Sequence, residues 1–151
     1  MNIATVPTEI LIAHLLLYPV YQIVGTLRHE GAHAIAAIIS GFEIVQFRFW
    51  PSKVDGVFYW GFVRWRARMP YEFGYPPRAS RHVFLAPYYV DLVFIVAGAV
   101  VLAAVEISEP HVYMVALVSL IISPIMDCIY NIAKARWLGR GDFVEARKLG
   151  R

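Results

Sequence analysis

The sequence has few charges and a single cysteine, and each scarcity excludes a class of protein. Charged residues make up only 17% of the 151 residues and hydrophobic residues make up 59%, above the roughly 45–50% that is usual in soluble domains. A chain of this composition can hardly cover itself with a polar surface. Because Cys128 is the single cysteine, an internal disulfide framework and a cysteine-rich metal site are excluded. We therefore expect one membrane-embedded domain over residues 1–151.

Three long apolar runs predict an α-helical integral membrane protein with three transmembrane helices. The predicted spans cover residues 8–40, 82–105 and 111–133. Each is long enough to cross about 30 Å of hydrocarbon at about 1.5 Å per residue. As one straight helix the first run would extend about 45 Å, so we expect it to tilt, to kink near Pro19 or to break.

The segment between the first two spans predicts a β-hairpin over residues 43–67. Residues 43–50 and 57–66 are rich in β-branched and aromatic side chains, and they flank the turn-forming sequence PSKVDG. Polar and apolar residues alternate around Arg64 and Arg66, as in a strand with two different faces. We expect the hairpin to lie at the cytoplasmic membrane face, with its aromatic rings at the level of the lipid headgroups.

The basic residues predict the orientation of the chain. Thirteen of the 14 Lys and Arg residues lie in segment 41–81 or after residue 131, and the opposite side of a three-span topology has none. This asymmetry predicts an N-terminus outside, with the hairpin and a basic C-terminal tail (134–151) in the cytoplasm. The net charge of +3 is thus explained by topology and lipid contacts, and no nucleic-acid partner is expected.

The first span contains the string H-E-x-x-H, from His29 to His33. On a helix, residues i and i+4 share a face, so both imidazoles can bind one metal ion. Glu30 lies beside the first histidine and can accept a proton from water on a zinc ion. Because ionisable groups inside a membrane span are costly and usually functional, a metal site is favoured over two histidines that only pack between helices.

A catalytic zinc site needs a third protein ligand, and the sequence offers Asp91 and Asp127. Counted from the nearest span end, His33, Asp127 and Asp91 lie about 12, 10 and 15 Å from the cytoplasmic face, so depth is compatible with either aspartate. Asp91 can instead form an ion pair with Arg28. Without such a partner, the Arg28 side chain must extend to the lipid headgroups. Asn131, one turn after Asp127, either hydrogen-bonds a ligand or the substrate backbone or is a polar residue at a helix end.

Three stretches carry a family resemblance. HEGAHAIAAIISG (29–41) resembles the H-E-x-G-H-x-x-x-A-x-x-x-G motif of the site-2 protease family of intramembrane zinc metalloproteases, with Ala32 where that family often has glycine. LAPYYVDLVF (85–94) is similar to the family's second core segment, typically G-P-x-x-N, with Ala86 for the glycine and Asp91 one place later than the asparagine. SPIMDCIYN (123–131) is similar to the third, P-x-x-x-D-G in many members, here P-x-x-D followed by Cys128.

The resemblance implies an enzyme, a zinc metalloendopeptidase in a minimal three-span form. His29, His33 and Asp127 would hold one Zn²⁺ per chain, and Glu30 would be the general base. The reaction would be hydrolysis of a peptide bond in a membrane-anchored protein near the cytoplasmic side of the bilayer. The expected partners are the bilayer and a membrane-spanning protein or peptide substrate, which Asn131 would help to bind. The alternative is a non-proteolytic membrane protein that uses the same pocket for metal binding or as a scaffold.

Overall fold

The computed structural model describes residues 6–54, 56–67 and 77–149, and it is mostly helical. The helices are α1 (Thr8–Leu16), α2 (Tyr18–Ile39), α3 (Pro77–Ala104), α4 (Pro110–Leu117), α5 (Ser123–Leu138) and α6 (Asp142–Lys148), with a π-helical segment (Val118–Ile122) between α4 and α5. The strands are β1 (Phe42–Arg48), β2 (Ser52–Val54), β3 (Val57–Tyr59) and β4 (Phe62–Ala67). Residues 68–76, between β4 and α3, lie outside the described residues.

The first predicted span is broken into α1 and α2, which meet at a bend of 54°. Pro19 lies in the first turn of α2, where its missing N–H costs no intrahelical bond, whereas in one helix continuous with α1 the same proline would interrupt the backbone hydrogen bonds. The backbone remains hydrogen-bonded at the junction of the two helices. The Leu17 N–H donates to the Ala13 oxygen at 3.0 Å, and the Val20 N–H donates to the Leu17 oxygen at 2.9 Å. Of the three ways expected to shorten the run, a break next to Pro19 is the one observed.

The other two predicted spans are long apolar helices. Ser80–Ala104, within α3, and Pro110–Leu138, made of α4, the π-helical segment and α5, are each long and apolar enough to cross a membrane. The bent pair of α1 and α2 provides a third span if it crosses as one unit. Leu16 is 75% exposed and Val93 is 64% exposed, as expected of helices whose outer surface faces lipid. Of the three predicted spans, two are therefore confirmed as apolar helices of membrane length, and the first counts as a third only if α1 and α2 cross as one unit.

The C-terminal segment, which the sequence predicts as a basic tail, contains the end of α5 and a further helix, α6. α5 continues past the predicted end of the third span, at residue 133, to Leu138, because Lys and Arg are good helix formers. Gly139, with φ of 61°, then ends the helix in the left-handed conformation that glycine adopts without a Cβ clash. Gly141, with φ of 104°, lets the chain turn back. The following residues form α6, which packs against α3 and α5.

The hairpin is antiparallel and consists of two paired regions, β1 with β4 and β2 with β3. The register of the longer pair shifts between Ile44 and Gln46, where a bulge lies. Trp65 and Ile44 pack against a small core formed by Ala37, Phe42 and Val83. Because Ala37 belongs to α2 and Val83 to α3, this core fixes the hairpin beside the second half of α2. The predicted hairpin between the first two spans is thus confirmed.

Candidate metal centre

The two histidines of the H-E-x-x-H string lie on one face of α2, as their spacing requires. Both rings are buried, with 7% of His29 and 4% of His33 exposed. Their ring centroids are 4.9 Å apart and the rings meet edge to face. α2 is regular through this region, so the i, i+4 spacing alone brings the two imidazoles together.

The Nε2 atoms of both histidines point at a carboxylate that the sequence reasoning missed. Oδ2 of Asp142 lies 3.2 Å from Nε2 of His29 and 3.4 Å from Nε2 of His33. Asp142 is the first residue of α6, so the turn through Gly139 and Gly141 carries it back to α2. The signal that could have found it is an acidic residue directly after two closely spaced glycines, in a segment otherwise dominated by basic side chains.

The same oxygen of Asp142 accepts a further hydrogen bond from α3. The Tyr88 hydroxyl donates to Oδ2 at 2.9 Å, and the Tyr88 ring stacks on Phe143 with centroids 4.1 Å apart. Burial opposes ionisation of Asp142, but hydrogen bonds to His29 and His33 outweigh it and lower the pKa of this carboxyl. Asp142 is therefore held as a carboxylate, the form that binds a metal ion.

The other ring nitrogen of each histidine, Nδ1, also has a hydrogen-bond partner. Nδ1 of His29 lies 2.6 Å from Oδ2 of Asp127, and Nδ1 of His33 lies 2.8 Å from the backbone oxygen of Val83. Asn131 donates to Asp127 Oδ1 at 3.0 Å and also to its backbone oxygen at 3.0 Å. Asp127 therefore lies at Nδ1 of His29, the ring nitrogen that does not face Asp142. Asn131 contacts Asp127.

Asp91 forms the ion pair that was one of the two alternatives for it. Arg28 Nε donates to Asp91 Oδ1 at 2.8 Å, and Asp91 is fully buried. The guanidinium lies over the Phe94 ring, 5.3 Å from its centroid. Its Nη1 donates to the backbone oxygen of Ser119, in the π-helical segment, at 3.5 Å. Arg28 is therefore bound inside the helix bundle.

Among the described residues, two groups of side chains have ligand atoms close enough to hold a metal ion. One group is His29, His33 and Asp142, and the other is His29, Asp91 and Asp127. In the second group the Asp91 carboxylate is already paired with Arg28, and His29 contributes the single imidazole. In the first group, the ligand atoms of two imidazoles and one carboxylate lie close to one another. The first group is the better metal site, because it offers two imidazoles and its carboxylate is not paired with an arginine or lysine of the described residues, whereas Asp91 is paired with Arg28.

Glu30 lines the same cavity as the first group. The cavity has a volume of about 290 Å³, and its walls include His29, Glu30, His33, Asp127, Asn131 and Asp142. Glu30 itself is buried, with 9% exposed.

The hairpin passes close to Glu30 at Gly61. A Cβ atom at Gly61 would lie 2.5 Å from Thr26 Cγ2, 2.8 Å from the backbone oxygen of Arg48 and 2.9 Å from Glu30 Cγ. Glycine is therefore required for the hairpin to approach α2 this closely. The structure thus brings together His29, Glu30 and His33 of the predicted site, with Asp127 and Asn131 beside them.

No family model matches the chain, and no curated protein and no solved structure matches it either. The role of the site is therefore argued from its geometry and chemistry.

Proposed function

We propose that this protein is a zinc metalloprotease that hydrolyses a peptide bond of a membrane-anchored protein, near the cytoplasmic side of the bilayer. The observation that supports the proposal best is the convergence of three ligand atoms, Nε2 of His29, Nε2 of His33 and Oδ2 of Asp142, in the cavity that Glu30 also lines. Two histidines, a carboxylate and an adjacent glutamate are the groups that a hydrolytic zinc site uses.

Two of the three distances between the ligand atoms are those expected around zinc. Ligand atoms about 2.0–2.1 Å from a tetrahedral ion lie roughly 3.3 Å from one another. Asp142 Oδ2 lies 3.2 Å and 3.4 Å from the two Nε2 atoms. Histidines that bind metal also donate their other N–H to a carboxylate or a backbone oxygen. Asp127 and the Val83 carbonyl occupy those positions here, at 2.6 and 2.8 Å.

The proposed roles follow from these contacts. His29, His33 and Asp142 hold the zinc ion, whereas Asp127 orients the His29 ring and fixes its tautomer. When bound, zinc supplies Lewis-acid polarisation of the scissile carbonyl. Glu30 takes a proton from the attacking water as the water oxygen adds to the scissile carbonyl carbon, and it then passes that proton to the amine nitrogen, so that the peptide C–N bond breaks as the carbonyl re-forms. This assignment replaces Asp127, the ligand that the family resemblance implied, with Asp142.

The hairpin suggests how the substrate is presented. Residues of β3 and β4, including Phe58, Val63 and Trp65, line the cavity. β4 pairs with β1 and with no second strand among the described residues. An extended substrate segment can therefore pair with the hairpin by strand addition, which requires local unwinding of a substrate helix because helical carbonyls are bonded within the helix.

The experiment that tests the proposal separates metal binding from turnover. Purified protein is reconstituted with a panel of reporter proteins that each contain one membrane-spanning segment, and cleavage and zinc content are measured together. Glu30→Gln should keep zinc and lose cleavage by at least 100-fold, as expected for removal of a general base. Glu106→Gln, an exposed position outside the cavity, serves as the control and should cleave as the parent does.

Two results would overturn the proposal. Cleavage by Glu30→Gln at the parent's rate would exclude Glu30 as the base. A zinc-loaded parent that cleaves none of the reporters would instead favour the non-proteolytic metal-binding alternative.

A further inference from the structure

A second groove lies between α5 and α6 and shares no lining residue with the cavity at the metal centre. Its volume is about 670 Å³, within the range of about 300–1,000 Å³ that is typical of small-molecule sites. Its apolar lining comes from Ile132, Ala135, Phe143 and Val144. The groove is thus wide enough, and apolar enough, to take part of a hydrocarbon chain.

Among the described residues, the charged side chains that line this groove are all cationic. Arg136, Arg147 and Lys148 line it, and all three are exposed. Lys148 Nζ lies 2.6 Å from Glu145, whereas no carboxylate among the described residues lies within ion-pair distance of Arg136 or Arg147. Two guanidinium groups without a protein anion can bind phosphate oxygens through paired hydrogen bonds.

We propose that this groove binds an anionic phospholipid, with the phosphate on the three cations and part of an acyl chain along the apolar residues. The position of the groove supports a lipid, because it flanks the last turns of the candidate span that ends at Leu138. Basic pockets beside the ends of membrane helices bind anionic headgroups. A soluble protein partner has no comparable reason to bind beside the end of a membrane-length apolar helix.

The lipid also has a structural consequence for the metal centre, and this part rests on the proposed function. Phe143 lines the groove and stacks on Tyr88, and Tyr88 donates a hydrogen bond to Asp142. α6 therefore has the groove on one side and the metal centre on the other. A lipid bound between α5 and α6 holds α6 in place and keeps Asp142 against the two histidines.

The test measures lipid binding by the purified full chain in detergent, using native mass spectrometry with phosphatidylglycerol and phosphatidylcholine as probes. The parent should retain phosphatidylglycerol in preference to phosphatidylcholine. The triple variant Arg136→Gln/Arg147→Gln/Lys148→Gln should bind phosphatidylglycerol about 100-fold more weakly, since each cation near an anionic headgroup contributes about fivefold. A matched triple variant, Arg48→Gln/Lys53→Gln/Arg81→Gln, removes the same charge from exposed positions outside the groove and should lose far less phosphatidylglycerol binding than the groove variant.

Three outcomes would overturn the lipid site. These are equal retention of the two lipids by the parent, an equal loss of binding in the two triple variants, and binding of soluble glycerol phosphate as strong as that of phosphatidylglycerol. Should the triple variant fold poorly, Arg147→Gln alone, at an exposed position, should still weaken binding about fivefold.

A separate measurement tests the coupling to the metal centre. Zinc affinity of the parent should be several-fold higher in nanodiscs of phosphatidylglycerol than in nanodiscs of phosphatidylcholine, and the triple variant should lose this difference. Equal affinities in the two lipids would overturn the coupling. A parent that binds no zinc in either lipid would refute the proposed function, whereas the mass spectrometry would still decide the lipid site.

Discussion

Replacing Asp142 and Asp127 in turn decides which carboxylate binds the metal ion. Asp142 Oδ2 lies on the Nε2 side of both histidines, whereas Asp127 lies on the Nδ1 side of His29 alone. A metal ion between the two Nε2 atoms therefore contacts Asp142 and is separated from Asp127 by the His29 ring. Asp142→Asn should remove a ligand, and Asp127→Asn should remove only the group that orients one.

The expected magnitudes differ enough to be measured. Structural zinc binding amounts to about 10–16 kcal/mol, so each of three protein ligands accounts for roughly 3–5 kcal/mol. Asp142→Asn should thus weaken zinc binding on the order of 1,000-fold. Loss of an orienting partner typically costs about 10–100-fold, which is the range expected for Asp127→Asn.

The assay is competition for zinc against a chromophoric chelator, with purified protein in detergent, so that the result does not depend on any substrate. Glu145→Gln, on the same helix as Asp142 but outside the cavity, controls for general effects on α6. Nearly complete loss of zinc in Asp127→Asn, together with retention in Asp142→Asn, would refute this reasoning. Asp127 would then be the ligand, as the family resemblance implied, and Asp142 would act only as an acidic residue favourable to the first turn of α6.

Three further predictions concern the packing that positions the site. Gly61→Ala should displace the hairpin from α2, with a loss of about 1–3 kcal/mol in the free energy of unfolding and faster proteolysis of the hairpin. Arg28→Met should cost about 3–5 kcal/mol because it leaves the buried Asp91 carboxylate without its cation, and Arg28→Met/Asp91→Leu should recover most of that loss in thermal unfolding. Gly98→Ala would place a Cβ 2.6 Å from Leu120 Cβ, and it should lower thermal stability by a similar 1–3 kcal/mol, roughly, through overpacking.

The controls for these predictions come from the same chain. A Cβ at Gly31 would meet nothing within 4 Å, so Gly31→Ala should be tolerated and should even stabilise α2 by about 0.5–1 kcal/mol. Equal effects of Gly31→Ala and Gly61→Ala would contradict the close approach of the hairpin. If the Arg28 and Asp91 substitutions are simply additive, the ion pair is not the reason for their effects.

Much of the fold could be predicted because its causes are local in the sequence. Uninterrupted apolar runs predict membrane-length helices, and a change to period-two alternation around a turn predicts the hairpin. Pro19 marks the break in the first run, since the missing N–H acts within one helical turn. The end of α5 was harder to predict. Basic residues from Lys134 onward suggest the end of a membrane span, but they do not end a helix, which continues until Gly139.

The candidate site likewise has a part that local sequence determines and a part that it does not. The sequence by itself determines that His29, Glu30 and His33 lie together, because the geometry of a helix places residues i and i+4 on one face. Only the tertiary structure decides which carboxylate meets which nitrogen. Asp142 is 113 residues from His29 along the chain, and it reaches Nε2 because the Gly139–Gly141 turn and the packing of α6 bring it back. Asp127 reaches Nδ1 instead, because the rotation of α5 about its own axis, which helix packing sets, fixes the side from which it approaches the imidazole.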